Sequence, residues 1–276
     1  MGNDHIGRSG IRDKTAVVTG GGGALGGAMA RALAAAGAKV AVLGLRPEPC
    51  GATAEAIRRA QGEAIAISCD VRDHVTLERA RAEIHDVFGP VDILVNVAGG
   101  NRPDATVSPD RPFFDLAPEA IDEVIALNLG GTIQSCQTFG RDLASRGEGC
   151  IVNIASMSAT RPLTQVVAYS AAKAAVVNFT QWLAVYMARE HSPRIRVNAI
   201  APGFFLTAQN HYLLIDGNAG GVTERGQAIL DHTPAGRLGE PDDVTGALLW
   251  LVSPAAAFVT GAIIPVDGGF AAFSGV

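Results

Sequence analysis

The segment TAVVTGGGGALGGAMARALAAAGAKVAVLGLR, residues 15–46, decides the architecture of the protein. Its first residues, Thr15–Thr19, are β-branched or apolar and predict a strand that runs into a cluster of glycines. The alanine-rich stretch Ala24–Ala36 predicts a helix, which Gly37 terminates. A second strand is predicted at Lys39–Leu43. A strand, a helix and a strand joined by such short connections form a right-handed βαβ unit, in which the two strands are parallel.

The same alternation of strand and helix continues to the C-terminus. Further strands are predicted at Ala64–Ser68, Val91–Val95, Cys150–Ile154, Ile195–Ile200 and Ala262–Val266, and further helices at Ala52–Gln61, Val75–Phe88, Pro118–Gly140, Tyr169–Glu190 and Pro241–Leu251. The predicted fold class is α/β, a single doubly wound, Rossmann-type parallel sheet with helices on both faces. Because no change of composition divides the sequence, residues 1–276 are predicted to form one domain, with a flexible N-terminus at residues 1–13.

The composition is that of a globular protein with an aliphatic core. Hydrophobic residues make up 48% of the sequence and aromatic residues 5%, which suits a parallel sheet buried on both faces. The net charge of −5, without any basic run, argues against a nucleic-acid partner. No apolar run is long enough for a membrane span, and no signal peptide is visible. Since the cysteines form no CxxC pair and the histidines lack metal-ligand spacing, we expect a cytoplasmic protein without a metal.

The glycine-rich turn after the first strand is a candidate dinucleotide site. Glycines at this point allow the backbone to approach a pyrophosphate at the N-terminus of a helix. A tight strand-to-helix turn without a ligand is the alternative, but the position in the first βα unit favours a cofactor. The candidate contacts are Gly20, Gly22, Gly23, Ala24, Leu25 and Gly26.

The ends of the second and third strands bear on which dinucleotide binds. An acidic residue after the second strand would hold the ribose hydroxyls of NAD and repel a 2′-phosphate, but this sequence has Gly44. Arg46 is placed to bind a 2′-phosphate, although it also suits a solvated loop. The sequence therefore favours NADP(H) over NAD(H). Asp70 is interpreted either as a ligand of the adenine or as the cap of the next helix, and Val71 beside it as a cofactor contact.

A tyrosine and a lysine one helical turn apart form a candidate catalytic pair. Tyr169 and Lys173 share a helix face, so the ammonium is expected to lower the pKa of the phenol from its usual value of about 10. Such a phenol exchanges a proton with a carbonyl oxygen near neutral pH. Ser156 follows the fifth predicted strand, and its hydroxyl is expected to bind the same oxygen.

Two long segments, 100–116 and 204–237, interrupt the alternation and are predicted to be substrate loops. Mobile surface insertions are the alternative. Their polar side chains suit hydroxyl or carboxylate groups better than a steroid or an acyl group. Arg102 or Arg161 could bind a carboxylate, but each also suits an exposed loop. The candidate substrate residues are Asn101, Arg102, Met157, Ser158 and Asn210.

Taken in order, these motifs resemble the short-chain dehydrogenase/reductase family from about Lys14 to the C-terminus. The family's TGxxxGxG loop corresponds to Thr19–Gly26, with Ala24 in place of the middle glycine, and its NNAG stretch corresponds to Asn96–Gly99, with Val97 substituted. The catalytic tetrad of the family is matched by Asn128, Ser156, Tyr169 and Lys173. The segments beside the nicotinamide and at the C-terminal strand are matched by Pro202, Gly203, Thr207, Gly261 and Asp267–Gly269.

The resemblance implies an NAD(P)-dependent oxidoreductase that moves a hydride between nicotinamide and a carbon bearing a hydroxyl or carbonyl group. Lys173 would hold the nicotinamide ribose and lower the pKa of Tyr169, Ser156 would orient the substrate oxygen, and Asn128 would order a water. The remaining implied cofactor contacts are Asn96, Ala98, Gly99, Tyr169, Lys173, Pro202, Gly203 and Thr207. Family members usually form homotetramers, which here would use the helices predicted at 118–140 and 169–190.

Within the family, several segments are similar to the group of D-mannonate oxidoreductases, or fructuronate reductases. They include GGNRPDAT, LNLGGT, APGFFLTAQN and PVDGGFAAFSGV. This similarity implies interconversion of D-mannonate and D-fructuronate. The alternatives are a gluconate or polyol dehydrogenase, a 3-oxoacyl thioester reductase, or a non-catalytic dinucleotide-binding protein, although proteins of the last kind usually lack the tyrosine or the lysine.

Overall fold

The computed structural model describes residues 10–207, 214–215 and 221–275. The strands are β1 (Thr15–Thr19), β2 (Lys39–Gly44), β3 (Ala64–Ser68), β4 (Ile93–Asn96), β5 (Gly149–Ile154), β6 (Ile195–Pro202) and β7 (Ile263–Val266). The α-helices within the described ranges are α1 (Ala24–Ala35), α2 (Pro47–Arg59), α3 (His74–Phe88), α4 (Pro118–Ile125), α5 (Gly131–Arg146), α6 (Val167–Glu190), α7 (Glu224–Asp231) and α8 (Thr245–Val252).

The strands form one parallel sheet in the order β3-β2-β1-β4-β5-β6-β7, which confirms the predicted fold class. The sheet grows outward in one direction from β1 to β3 and in the other from β4 to β7. A crevice therefore opens between the carboxyl ends of β1 and β4, where ligands of such sheets bind. No described helix has the length and apolar character that a membrane crossing requires.

Both faces of the sheet are covered, because alternate residues of each strand point to opposite sides. In β1, Val18 packs with Met29 and Leu33 of α1 and with Leu248 of α8. Its neighbour Val17 belongs to the other layer. That second layer includes Leu77 and Ile84 of α3, Phe139 and Leu143 of α5, and Leu183 of α6. The helices on each face thus hold the strand ends that carry the site.

Helices α2 and α7 depart from the sequence-based expectation. Helix α2 begins at Pro47 instead of Ala52, because proline suits the first position of a helix, where its missing N–H costs nothing. Helix α7 lies inside the segment 204–237, which was predicted to be a loop. Its start is fixed by Thr223, whose hydroxyl accepts the N–H of Gly226.

The long helix predicted at 118–140 is wrong as a single regular element. A π-helical turn at Ala126–Gly130 separates α4 from α5, and α5 continues to Arg146. Side chains compete for the backbone here. Asn128 Nδ2 donates to the carbonyl of Val124 at 2.8 Å, and Thr132 Oγ1 donates to the carbonyl of Asn128 at 2.8 Å. Such bonds take carbonyls from the regular ladder and favour a wider turn.

The structure bears only on the last four residues of the predicted flexible N-terminus. Residues 1–9 of the predicted flexible segment 1–13 lie outside the described residues. Ile11 is buried in the first core layer, and Asp13 donates its N–H to the carbonyl of Gly37 at 2.9 Å. Residues 10–13 are therefore a turn packed on the domain, because an apolar side chain anchors it.

Candidate active site

A cavity of about 650 Å³ lies in the crevice at the carboxyl ends of the strands. Four strand-to-helix loops form most of its wall, namely those that follow β1, β2, β3 and β4. Tyr169, Lys173 and Thr207 line the opposite end. The wall residues include Gly20, Gly22, Gly23, Ala24, Leu25, Gly26, Gly44, Arg46, Asp70, Val71, Ala98 and Gly99. The structure thus brings together most of the residues predicted for the cofactor and two of the predicted catalytic residues.

The loop after β1 has room only for glycine at its critical positions. Gly20 has a φ of +64°, and a Cβ there would lie 2.8 Å from the backbone nitrogen of Ala98. A Cβ at Gly26 would overlap the carbonyl oxygen of Gly20. Thr19 Oγ1 accepts the N–H groups of Val97 at 3.1 Å and of Ala98 at 3.2 Å, which fixes the β4 loop against this turn.

The start of α1 suits an anionic group. Its N-cap, Gly23, has no side chain to satisfy the first N–H groups of the helix, and the first turn holds no acidic residue. Ala24, which replaces a family glycine, is exposed at the cavity wall instead of buried in the turn. The N–H groups and the positive end of the helix can therefore bind the pyrophosphate of a dinucleotide.

The end of the cavity next to β3 carries an ion pair that the sequence interpretation missed. Arg72 donates to both carboxylate oxygens of Asp70, at 3.0 and 2.7 Å, and this pairing lowers the pKa of Asp70. Asp73, not Asp70, caps α3 by accepting the N–H of Val75 at 2.9 Å. The capping alternative for Asp70 is therefore wrong. A basic residue two positions after a strand-end aspartate was the signal for this pair.

Lys173 is buried beneath the opposite end of the cavity. Its Nζ donates to the carbonyl of Ile154 at 2.7 Å and lies 5.6 Å from the centre of the Tyr169 ring. Only 3% of the residue is exposed, and burial lowers the pKa of the ammonium to about 8. The group thus holds its proton weakly for a lysine.

Burial also acts on Tyr169, in the direction opposite to the one expected. The pKa of the phenol is raised by burial, and a hydrogen bond with Ser156 opposes that rise. The expectation of a lowered pKa is wrong for this structure, because the effect of burial exceeds that of the hydrogen bond. The phenol therefore keeps its proton at neutral pH.

Ser156 is oriented by its own turn. Its Oγ accepts the N–H of Ser158 at 3.2 Å, so its single O–H remains to be donated. The side chain is buried beside Tyr169, to which it is hydrogen-bonded. Ser156 and Tyr169 can thus both donate to one oxygen atom.

Asn128 clamps the loop after β4. Its Oδ1 accepts the N–H of Gly100 at 3.1 Å, and its Nδ2 donates to the carbonyl of Gly100 at 2.7 Å. A Cβ at Gly99 would lie 2.7 Å from this Oδ1 and 3.2 Å from Lys173 Nζ. The fully buried amide of Asn128 therefore fixes the backbone of the loop that lies next to Lys173.

Asn96 is buried in the sheet and is not among the described residues that line the cavity. Its Nδ2 donates to Asn153 Oδ1 at 2.9 Å, and Asn153 Nδ2 donates to Thr180 Oγ1 at 2.9 Å. Together with the bond from Lys173 to Ile154, this series of hydrogen bonds ties α6 to β5 at two points on one helix face. These hydrogen bonds fix the position and rotation of α6, which carries Tyr169 and Lys173, relative to β5.

The candidate residues near β6 fall into two groups. Thr207 lines the cavity, whereas Pro202 and Gly203 are not among the described residues that do. Pro202 ends β6, and Gly203 donates its N–H to the carbonyl of Val266 at 2.9 Å. A Cβ at Gly203 would lie 2.7 Å from the Cα of Asp267, so this glycine allows the C-terminal turn to pack closely.

The substrate candidates are scattered. Arg102 lines the cavity but is already paired with Asp104, at 2.9 and 2.8 Å, and with Glu123. Asn101 is exposed and donates to Thr106 Oγ1 at 2.8 Å. Met157 and Ser158 are buried next to Ser156, and Asn210 lies outside the described residues. Arg161 donates to the carbonyl of Ala271 at 3.1 Å. Their roles stay predictions.

The buried ammonium makes stability depend on pH. Between about pH 8 and pH 10.5 the unfolded state retains the lysine proton and the folded state loses it, so wild-type stability rises with pH. The difference between these two pKa values corresponds to about 3 kcal/mol. Lys173→Met lacks this contribution. We expect the free energy of unfolding of wild type, relative to that of the variant, to increase by about this amount from pH 7 to pH 10.5 in urea titrations. A difference that stays constant with pH would contradict the burial of the charge.

Comparisons with known proteins agree with this geometry. The profile of the family described as Enoyl-(Acyl carrier protein) reductase matches residues 22–271. An uncharacterized oxidoreductase of Bacillus subtilis, UxuB, is 47% identical over 275 residues, covering 96% of this chain and 98% of that protein. The D-threitol dehydrogenase of Mycolicibacterium smegmatis is 37% identical over 257 residues, covering 93% and 92%.

A solved structure extends the comparison to the fold. A candidate D-mannonate oxidoreductase from Haemophilus influenzae, with NAD bound, matches with a TM-score of 0.91 and 42% identity, over 97% of this chain and 98% of that one. Identity of this extent along nearly the whole chain, together with the site geometry, establishes the family. The chain belongs to the short-chain dehydrogenase/reductase family, whose members are oxidoreductases that bind NAD(P).

Proposed function

We propose that the protein transfers a hydride between NADP(H) and a sugar acid, with D-mannonate and D-fructuronate as the substrate pair. The observation that carries the proposal is a single cavity lined by the glycine-rich loop after β1 at one end and by Tyr169 and Lys173 at the other. Support for a sugar-acid substrate comes from the polar character of the candidate loops and from the name of the Haemophilus relative. The nicotinamide, when bound, supplies or accepts the hydride.

The protein's own groups position the substrate and move a proton. The Tyr169 phenol, kept protonated by burial, donates to the substrate oxygen during carbonyl reduction. The Ser156 hydroxyl, which is hydrogen-bonded to Tyr169, can turn its O–H to the same substrate oxygen. Lys173, anchored on Ile154, lies beside the ring of Tyr169, where its ammonium would hold the nicotinamide ribose. Asn128 keeps the Gly100 backbone in place.

The substrate is tested by following reduced-nicotinamide absorbance with D-fructuronate. Other uronates, 5-keto-gluconate and an acetoacetyl thioester serve as competing substrates. Rapid oxidation with D-fructuronate is the expected result. Turnover of only a polyol or only the thioester would keep the reaction class and replace the substrate, and binding without turnover of any carbonyl would favour a non-catalytic protein.

The proposed preference for NADP(H) rests on Gly44 and Arg46. Position 44 has no carboxylate that would repel a 2′-phosphate, and the exposed guanidinium of Arg46 lies close by on the cavity wall. Arg46→Ala should weaken NADPH binding by roughly 10- to 100-fold, the range of one hydrogen bond to a charged group, and NADH binding much less. Dissociation constants from nucleotide fluorescence measure this. Arg59→Ala, at the far end of α2, is the control and should change neither constant. Equal losses for both dinucleotides at Arg46 would refute the preference.

The proposal also includes self-association in the cytoplasm. Helix α6 exposes Trp182, Val185 and Tyr186, and the two rings stack with centroids 5.1 Å apart. Another copy of the protein could bury this apolar strip. The four cysteines are unpaired and buried, which suits a reducing compartment.

A further inference from the structure

Position 44, where a dinucleotide-binding strand often carries an acid, is closed by a neighbouring thiol. Gly44 is the last residue of β2, and Cys50 lies in the first turn of α2. Both residues line the cavity. A Cβ at position 44 would lie 2.7 Å from Cys50 Sγ, which is closer than unbonded heavy atoms approach. Any side chain at this position therefore requires the sulfur to move.

The sulfur is held in place. Cys50 is only 1% exposed, and its Sγ accepts a hydrogen bond from the backbone of Gly22. The same turn of α2 is packed on the glycine loop, because a Cβ at Gly22 would lie 2.8 Å from Pro49 Cβ and 2.9 Å from the nitrogen of Cys50. Helical side chains have few allowed rotamers. Moving the thiol thus breaks its hydrogen bond with Gly22 and disturbs the glycine-rich loop that would bind the pyrophosphate.

The thiol contributes no charge to replace the missing carboxylate. Burial raises the pKa of Cys50, so the group stays neutral. Arg46, exposed on the same rim, is the nearest ionic group after β2 in the sequence. A carboxylate at position 44 would bind ribose hydroxyls and repel a 2′-phosphate. The steric closure of this position therefore bears directly on which dinucleotide the protein prefers.

We propose that Cys50 is a specificity-determining residue, whose sulfur excludes a side chain from position 44 and so leaves the adenosine ribose site open to a 2′-phosphate. The inference rests on the proposed dinucleotide function. It makes the effect of an acid at position 44 conditional on residue 50. An aspartate introduced at position 44 can select NADH only when the space next to it has been emptied.

The test is a set of variants assayed by binding rather than by turnover. Gly44→Asp, Cys50→Ala and the double variant are titrated with NADPH and NADH, and dissociation constants are taken from nucleotide fluorescence. Gly44→Asp alone should weaken the binding of both dinucleotides and lower the midpoint of thermal unfolding, with little change in the ratio of the two dissociation constants. The double variant should recover the midpoint and shift the affinity ratio toward NADH by more than about tenfold.

A second cysteine of the cavity wall provides the matched control. Cys69 also lines the cavity and is buried. A Cβ added at Gly44 would lie close to the sulfur of Cys50 but not within 4 Å of the sulfur of Cys69. Gly44→Asp with Cys69→Ala should behave as Gly44→Asp alone. If Gly44→Asp alone shifts the ratio as far as the double variant, or if the Cys69 variant rescues equally, the proposal is overturned.

A smaller substitution keeps the test valid if Gly44→Asp does not fold. Gly44→Ala should lower the thermal midpoint in the Cys50 background and much less in the Cys50→Ala background. Equal losses in both backgrounds would overturn the steric coupling. A wild type that prefers NADH would defeat the proposed NADP(H) preference but not this coupling, whereas a protein that binds neither dinucleotide would defeat the proposed function itself.

Discussion

Tyr169→Phe is expected to lower turnover by roughly 10²- to 10⁴-fold, the contribution of a positioned general acid. The ring keeps its packing, since only the hydroxyl is removed, and cofactor affinity should stay within about threefold of wild type. In carbonyl reduction the substrate oxygen loses one of its two donors and the proton that Tyr169 supplies. The measurements are kcat with the best substrate and the dissociation constant of the reduced cofactor.

A tyrosine elsewhere on the same helix provides the control. Tyr186 is 41% exposed and stacks on Trp182, away from the cavity. Tyr186→Phe should leave kcat unchanged. A Tyr169→Phe enzyme that keeps more than about half of its turnover would show that Ser156 or a water supplies the proton.

Gly26→Ala is expected to lose dinucleotide binding by roughly 100-fold or more. The added Cβ overlaps the carbonyl oxygen of Gly20, which belongs to the backbone and cannot rotate away. The glycine loop must shift, and the N–H groups that would hold the pyrophosphate shift with it. Each hydrogen bond to a charged group is worth about 1.5–3 kcal/mol, so loss of two such bonds accounts for the effect. Overpacking should also lower the free energy of unfolding by about 1–3 kcal/mol.

The control for Gly26→Ala is the same change at Gly51. This glycine lies within α2, and an added Cβ there meets nothing within 4 Å. Gly51→Ala should stabilise the protein by about 0.5–1 kcal/mol and leave dinucleotide affinity unchanged. Dinucleotide affinity by calorimetry and stability by thermal unfolding, measured for both variants, distinguish crowding of the glycine-rich loop from a general intolerance of alanine in place of glycine. Full affinity in Gly26→Ala would mean that the loop does not hold the pyrophosphate.

Local patterns were enough to predict the sheet and the glycine-rich turn after β1. Strand β1 has the predicted bounds, because its apolar run ends directly at the glycines. Helix α2 was predicted to start at Ala52 but starts at Pro47, because proline suits the first turn of a helix. The contact between Gly44 and Cys50 depends on that first turn, so no pattern in the sequence could predict it.

The surroundings of individual side chains decided the remaining differences. Asp70 was a candidate cap or adenine ligand; the cap is Asp73, which accepts the N–H of Val75, and the adenine contact stays a prediction. The motif of Tyr169 and Lys173 predicted the residues of the pair but not the direction in which the pKa of the phenol shifts, because burial raises that pKa and a hydrogen bond with Ser156 only opposes the rise. Spacing along a helix shows which side chains can meet, whereas desolvation depends on everything packed around them.

The π-helical turn at Ala126–Gly130 changes the phase of the helix that contains it. One extra residue in a turn rotates the following segment by about 100° relative to a continuous helix. Before the turn, Ala120 and Val124 face the small cluster that includes Ala105 and Ala168, near the start of α6. After it, α5 turns a different stripe toward the sheet. The two helices on either side of the turn can thus pack against two layers that face different directions. Residues in either helix can be substituted independently as long as the number of residues in the π-helical turn stays the same.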